Sequence, residues 1–207
     1  MKTPIDLTTW NRRQQFELFV GYENHYYAVT ANVDCTRMYE RSKSEGFPFY
    51  LGYHFASLQA VNAVDEFRQR IENDIPVEYG EVHLSTTIAR DDGTFGFSFI
   101  PFTKDFDKFV ADGIAESKRV RQSDNLFCEY PETENGIVYC SVLRGVSFSA
   151  TVQPYRKGDS IPILTFGEML LGNGVCKLPH SVQVHHALVD GQHVGEYFKL
   201  FQQYLNT

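Results

Sequence analysis

Residues 181–205 read SVQVHHALVDGQHVGEYFKLFQQYL and change their hydrophobic period once. Ser181-Val182-Gln183-Val184-His185 alternates polar and apolar side chains, the mark of a strand with one face in the core. Ala187–Gly191 breaks the alternation. Beyond it, Val194, Phe198, Phe201 and Leu205 fall on one stripe of a closing helix. A strand handed directly to an amphipathic helix requires that helix to lie back on the sheet the strand belongs to.

The preceding segments extend the pattern. Tyr27, Val29, Ala31 and Val33 alternate as a half-buried strand. Pro48 opens a helix at its first position. Leu51, Phe55, Leu58, Val64, Phe67 and Ile71 then recur at helical spacing over about six turns, which predicts the longest helix of the chain. Leu84, Thr86 and Ile88, the turn Asp91-Asp92-Gly93, and Phe95, Phe97 and Phe99 predict a β-hairpin. Phe106, Phe109, Val110 and Ile114 suit a second amphipathic helix. Further strands are expected at Ile137–Leu143, Ser147–Val152 and Ile161–Phe166. The class is α/β of the mixed α+β kind, with helices covering a mixed sheet.

Composition bounds the rest. The 207 residues, 43% hydrophobic and 22% charged, make one globular domain over 1–207 that folds without a disulfide or metal staple. Aromatics reach 14%, with 17 Phe and 12 Tyr, and most of these rings are core material. A formal charge of −7 argues against a general nucleic-acid binder, which needs a basic face. No apolar run approaches the ~18–20 residues of a membrane span. The N-terminal MKTPIDLTTWNRRQQ has no signal-peptide h-region. Cys35, Cys128, Cys140 and Cys176 stand singly and read as reduced thiols of a cytoplasmic protein. There is no repeat, linker or low-complexity stretch.

Chemistry concentrates in His185-His186-Ala187-Leu188-Val189-Asp190-Gly191. An imidazole at the mouth of a strand is rigidly held yet opens onto a loop, and it exchanges protons near neutrality. The glycine permits a tight reversal into the helix. Three readings compete. One is a core histidine pair ending a strand. Another is a metal site of His185, His186, Asp190 and His193, disfavoured because adjacent strand residues point to opposite faces. The third is general-base catalysis by His186. The pattern H-H-x-x-x-D-G arises by chance in about one chain of this length in a few thousand.

These residues carry a resemblance. His-His-x-x-x-Asp-Gly is the signature of CoA-dependent acyltransferases, and Val182–Val194 strongly resembles the chloramphenicol acetyltransferase family. Trp10-Asn11-Arg12-Arg13-Gln14-Gln15-Phe16 looks like that family's W-x-R-x-x-x-F element. Val61-Asn62 with Asp65-Glu66-Phe67-Arg68, Thr94-Phe95, Pro101, Ser123-Asp124, Leu126-Phe127, Ser141 and Pro162-Ile163-Leu164-Thr165 follow in family order. The resemblance spans essentially the whole chain.

It implies a two-layer sandwich assembled as a homotrimer with active sites between subunits. The implied reaction carries acetyl from acetyl-CoA to the hydroxyl of a small molecule, chloramphenicol or a more polar relative, without a metal. His186 is the implied base, Ser141 the oxyanion donor, and Thr165 orients an ordered water. Asp190 pairs with Arg12 and supports the site, as does His185. By offset along the chain, the acceptor pocket holds Leu18, Phe19, Glu23, His25, Tyr27, Phe95, Phe127, Thr151 and Gln153. Several of these are apolar in the family's chloramphenicol enzymes. Where the family reads G-K-[YF], this chain reads Gly167-Glu168-Met169, which removes a cation beside a phosphate-bearing co-substrate. Two other classes stay open: a dihydrolipoyl-acyltransferase core, for which no lipoyl segment is seen, and a non-catalytic trimer that binds a small molecule.

Overall fold

A computed structural model describes residues 1–127 and 135–207. Its frame is a seven-stranded mixed sheet. The strands are β2 (Tyr26–Asp34), β5 (His83–Ala89), β6 (Phe95–Ile100), β7 (Ile137–Val142), β8 (Ile163–Phe166), β9 (Leu170–Gly172) and β10 (Val175–His185). Their order is β2-β10-β8-β7-β5-β6, with β9 also paired to β10. The β5–β7 and β7–β8 pairs are parallel, while β10 runs antiparallel to β2 and β8. A second sheet of β1 (Lys2–Pro4), β4 (Ile75–Tyr79) and β3 (Gln69–Glu72) flanks it.

Helices α3 (Phe49–Ala63) and α5 (Gly191–Leu205) pack on each other against one face of the sheet. Leu58, Leu84, Val138, Leu164, Phe166, Val182, Val184 and Phe201 belong to that buried layer. α3 is buried almost all round, so its periodicity is less informative than its length. α4 (Phe106–Arg121) lies against α3 at Gly113, where an added β-carbon would stand 2.5 Å from a Leu51 methyl. α1 (Arg13–Phe19) and α2 (Thr36–Glu45) complete the set.

The opposite face is polar. Ser141 is in register with Thr165, Thr165 with Ser181, and Ser181 with Thr30. Directly paired residues share a face, so four hydroxyls form a row across four strands.

Two expectations are corrected. The long helix stops at Ala63. Val64 is extended, Asp65–Arg68 form a 3₁₀ turn, and Ile71 lies in β3. Asn62 and Arg68 cause the break. The Asn62 amide donates to the Leu58 and Val82 carbonyls, and Arg68 donates to those of Asn62 and Tyr79. Backbone carbonyls there are satisfied by side chains instead of a helical ladder. Pro48 accordingly sits one position outside the helix, as its N-cap. The strand expected at Ser147–Val152 is absent as well; the chain from 143 to 162 carries no ladder among the described residues.

The hairpin forms as expected, with Gly93 at φ +84° and the Asp92 carboxylate accepting from the Thr94 amide. Cys35, Cys140 and Cys176 are buried and unpaired; Cys128 lies outside the described residues.

Candidate active site

β10 delivers His185 at its last position, and His186 begins the loop that follows. The loop is fixed by its own backbone. The His186 amide donates to the His25 carbonyl at 2.7 Å, and the Leu188 and Val189 amides donate to the His185 carbonyl at 3.0 Å. Ala187, Leu188 and Val189 are buried in the core, which anchors the half-buried histidine from behind. The His186 ring stacks on Phe19 at 3.9 Å and 11°, with the Tyr27 ring 4.6 Å away.

Asp190 closes the loop and caps α5. Its carboxylate accepts from the Gln192 amide at 3.0 Å, and its own amide donates to His193 Nδ1 at 3.1 Å. This capping box, rather than Gly191, makes the reversal: Gly191 is the first helical residue and has no left-handed backbone. Asp190 is also ion-paired with buried Arg12, at the entry to α1. Burial alone would raise the Asp190 pKa. Hydrogen bonding to Arg12, with the charges of His193 and Arg12 and the Gln192 amide, outweighs burial and holds it below the usual range.

His185 faces inward. It stacks on His25 at 4.1 Å, and its Nδ1 accepts from the Ala187 amide. Burial first, then the neighbouring His25 and His186, lowers its pKa to about 3, so it stays neutral. With Nδ1 accepting from the Ala187 amide, its proton is on Nε2.

A second group lies along the polar face. A cavity of about 1540 Å³ is lined by Ser141, Phe95, Phe127, Gln153 and Tyr155, among others. Gln183 of β10 reaches up with both ends of its amide. It accepts from the Gln153 backbone N–H at 2.8 Å and donates to the Gln153 carbonyl at 2.9 Å. Ser181 donates to the Thr151 carbonyl at 3.5 Å. Residues 151 and 153 are thus tied to the sheet by side-chain bonds in place of a ladder. From there the Gln153 amide donates to Thr165 Oγ1 at 3.3 Å. Phe127 and Phe95, 57% and 47% exposed, are joined through Phe97 as an aromatic rim open to the outside.

The expected acceptor residues therefore divide. Phe19, His25 and Tyr27 gather around the histidines, while Phe95, Phe127 and Gln153 line the cavity that holds Ser141. Leu18 and Glu23 are exposed. Five residues of rise along β10 and two strand spacings separate His186 from Ser141, about 16 Å by about 10 Å, or roughly 19 Å.

Two contributors were not among the residues expected from the sequence. Tyr155 stacks on Tyr26 at 4.4 Å and approaches His25, joining the two groups. His180 donates from Nδ1 to the Thr165 carbonyl at 3.1 Å and accepts from the Tyr197 hydroxyl at 2.9 Å. A buried polar residue on the core side of an alternating strand is the pattern that marks the latter.

Glu168 is exposed but occupied: its carboxylate accepts from the Gly145 amide at 3.0 Å. Met169 packs against the core. Among the described residues, no group of three or more His, Cys, Asp or Glu side chains is placed to hold a metal ion, and no helix is long and apolar enough to cross a membrane.

Comparison with known proteins adds a family, two relatives and two solved structures. The family model for chloramphenicol acetyltransferase matches residues 1–202. The chain is 27% identical over 208 residues to chloramphenicol acetyltransferase 3 of Escherichia coli, covering 99% of this chain and 97% of the relative. It is 28% identical over 207 residues to a Clostridium perfringens chloramphenicol acetyltransferase, covering 98% of each. A solved chloramphenicol acetyltransferase superposes with a TM-score of 0.89 at 27% identity, over 99% of this chain and 100% of the other. A probable dihydrolipoamide acetyltransferase from Listeria monocytogenes shares the fold, with a TM-score of 0.69 at 14% identity over 98% and 93%.

Proposed function

The chain belongs to the chloramphenicol acetyltransferase family and is an acyltransferase, and from that premise we propose that it carries acetyl from acetyl-CoA to the hydroxyl of a small-molecule acceptor, with His186 as general base. The observation that carries this reading is the setting of His186. Its ring is held against Phe19 at the exit of β10, and the loop behind it is pinned by the Asp190–Arg12 pair. A neutral imidazole fixed in this way takes the proton of an attacking hydroxyl as its oxygen reaches the thioester carbonyl. It then returns the proton to the departing thiolate. Ser141 donates to the oxyanion of the tetrahedral intermediate, and Thr165, beside it in register, orients a water.

The roughly 19 Å between His186 and Ser141 favours sites shared between subunits of a homotrimer. His186 of one copy then meets Ser141, Gln153 and the aromatic rim of another. The acceptor wall is polar at Gln153 and His25, which favours acceptors that hydrogen-bond there over apolar ones. Acetyl-CoA, with its phosphates, enters without help from position 168, where the carboxylate is tied to Gly145.

The test is release of CoA thiol from acetyl-CoA across a panel of phenicols and other hydroxylated compounds. Acceptor-dependent release supports the reading. No release with any acceptor, alongside tight binding of one of them, would establish a non-catalytic binding protein instead.

A further inference from the structure

Beyond β7 the chain turns at Arg144-Gly145, with Gly145 in the left-handed region at φ +72°. Three hydrogen bonds dock this turn onto the end of β8. The Leu143 amide donates to the Phe166 carbonyl at 2.8 Å, and the Glu168 amide to the Val146 carbonyl at 2.7 Å. The Gly145 amide donates to the Glu168 carboxylate at 3.0 Å. Arg144 is thereby held at the exit of the strand that carries Ser141, three residues and about 10 Å further along the chain. Both residues line the same cavity, as do Tyr50 and Tyr53 of α3. Burial, with Cys140, raises the Tyr53 pKa; Arg144 opposes that shift and Glu168 adds to it, so both charges stand near this hydroxyl. Arg121, Arg144, Arg156 and Lys157 line the cavity against one carboxylate, Asp159, in a chain whose net charge is −7. No ion pair among the described residues involves Arg144. Its charge is uncompensated, at the rim of a space that needs an anion to balance it.

Resting on the reading of acetyl-CoA as co-substrate, we propose that Arg144 binds the phosphates of that molecule, and that Glu168 is the positioning residue that clasps the Arg144 turn in place. The thioester and the phosphates of acetyl-CoA lie at opposite ends of a long pantetheine arm. A cation for the phosphates therefore has to stand away from Ser141, and Arg144 does so while following it on one strand. A guanidinium meets a phosphate with two parallel N–H donors, which adds direction to charge. Position 168 offers a phosphate no attraction of its own. Its carboxylate instead accepts the amide next to Arg144, so a residue that opposes the ligand by charge assists it by geometry.

The experiment is calorimetric binding of CoA and of pantetheine, which lacks the phosphates, to the full chain, with melting curves as the control for folding. Arg144→Gln, at an exposed position, should weaken CoA binding about tenfold, the low end for a hydrogen bond to a charged group, and leave pantetheine binding unchanged. Raising the salt concentration should narrow the gap between the two proteins. Glu168→Ala should also weaken CoA binding, although it removes a negative charge. Glu168→Gln, whose amide oxygen can still accept from Gly145, should bind CoA at least as tightly as the wild type. A normally folded Arg144→Gln protein with unchanged CoA affinity overturns the proposal, and so does an equal loss of pantetheine binding. Tighter CoA binding by Glu168→Ala overturns the clasp, because Glu168 then acts through its charge alone. A wild type that binds no CoA would instead remove acetyl-CoA as the co-substrate, a failure visible before any variant is made.

Discussion

Ser141 lies within the sheet, on β7, while His186 stands just beyond the end of β10. Ser141 lies level with Thr165 and Ser181, whereas His186 follows Ser181 by five residues at the end of β10. On the roles proposed for Ser141 and His186, the carbonyl under attack lies about 3 Å from its oxyanion donor and beside the attacking hydroxyl, so this separation calls for a site shared between chains. Mixing tests this directly. His186→Ala and Ser141→Ala proteins, each inactive, should regain a measurable fraction of activity when unfolded together and refolded, because some interfaces then combine an intact histidine with an intact serine. Persistent inactivity of well-formed mixed oligomers would place the whole site within one chain.

His186→Ala should remove nearly all transfer activity and leave the fold intact. Its ring packs on Phe19 and Tyr27 at the surface of the core, so little burial is lost, while general-base assistance is worth about 10²–10⁴-fold. Kinetics together with a melting curve decide the matter. More than about a tenth of wild-type kcat/KM in a normally melting variant contradicts the role.

Asp190→Asn keeps a side chain able to cap α5 but discharges the partner of Arg12. Asp190 is about a third exposed, so the loss in stability is smaller than for a fully buried pair, about 1–3 kcal/mol. Arg12→Met/Asp190→Asn should be milder than the sum of the two single changes, by chemical denaturation. Additive effects would show that the pair contributes no coupling energy.

Acid should weaken this protein earlier than its carboxylates require. Burial pushes the pKa values of His54, His180 and His185 down to about 3. In the unfolded chain a histidine titrates near 6.5, so between these values the unfolded state binds the extra protons. Stability is complete above about pH 6.5 and declines as pH falls toward 3, by at most about 1.4 kcal/mol per pH unit for each histidine. The Asp190 contribution is lost only below about pH 4. Denaturation midpoints at pH 7.5, 6 and 5 should fall in that order. Equal midpoints would mean that these imidazoles are protonated in the folded state.

Gln153→Leu should lower the KM for chloramphenicol, since it makes the cavity wall less polar beside Ser141. It also leaves Thr165 Oγ1 without its amide donor, so kcat is expected to fall a fewfold. A steady-state comparison separates the two parameters, and an unchanged KM would show that the side chain does not meet the acceptor.

Much of this was legible in the residues themselves. Period-two alternation marks β2, the β5–β6 hairpin, β7 and the end of β10, because each has one face in the core. It failed where burial and backbone bonding part company. Val64, Phe67 and Ile71 keep a helical spacing, yet Asn62 and Arg68 divert the chain into a 3₁₀ turn and a strand. The strand expected over 147–152 has no ladder partner; its Thr151 carbonyl accepts from the Ser181 side chain instead. α2, TRMYERSKSE, buries only Met38 and Ser42 and had no apolar stripe to read. At the site, the ion pair expected between Asp190 of the motif and Arg12 of the Trp10–Phe16 element is present. Tyr155, His180 and Gln183, which tie the strands and the 151–155 segment together around the site, are placed by tertiary contacts that no local spacing encodes.

The bond pattern of Gln183 has a consequence for how such a protein diversifies. Its amide grips the main chain of residue 153, not a side chain. The identities of residues 151, 153 and 155 are thereby uncoupled from what fastens them. Selection can exchange those side chains as a cassette and retune which molecules enter, while the hydrogen bonds that dock the cassette onto the sheet survive exchanges that spare Ser181, Gln183 and the backbone N–H of residue 153.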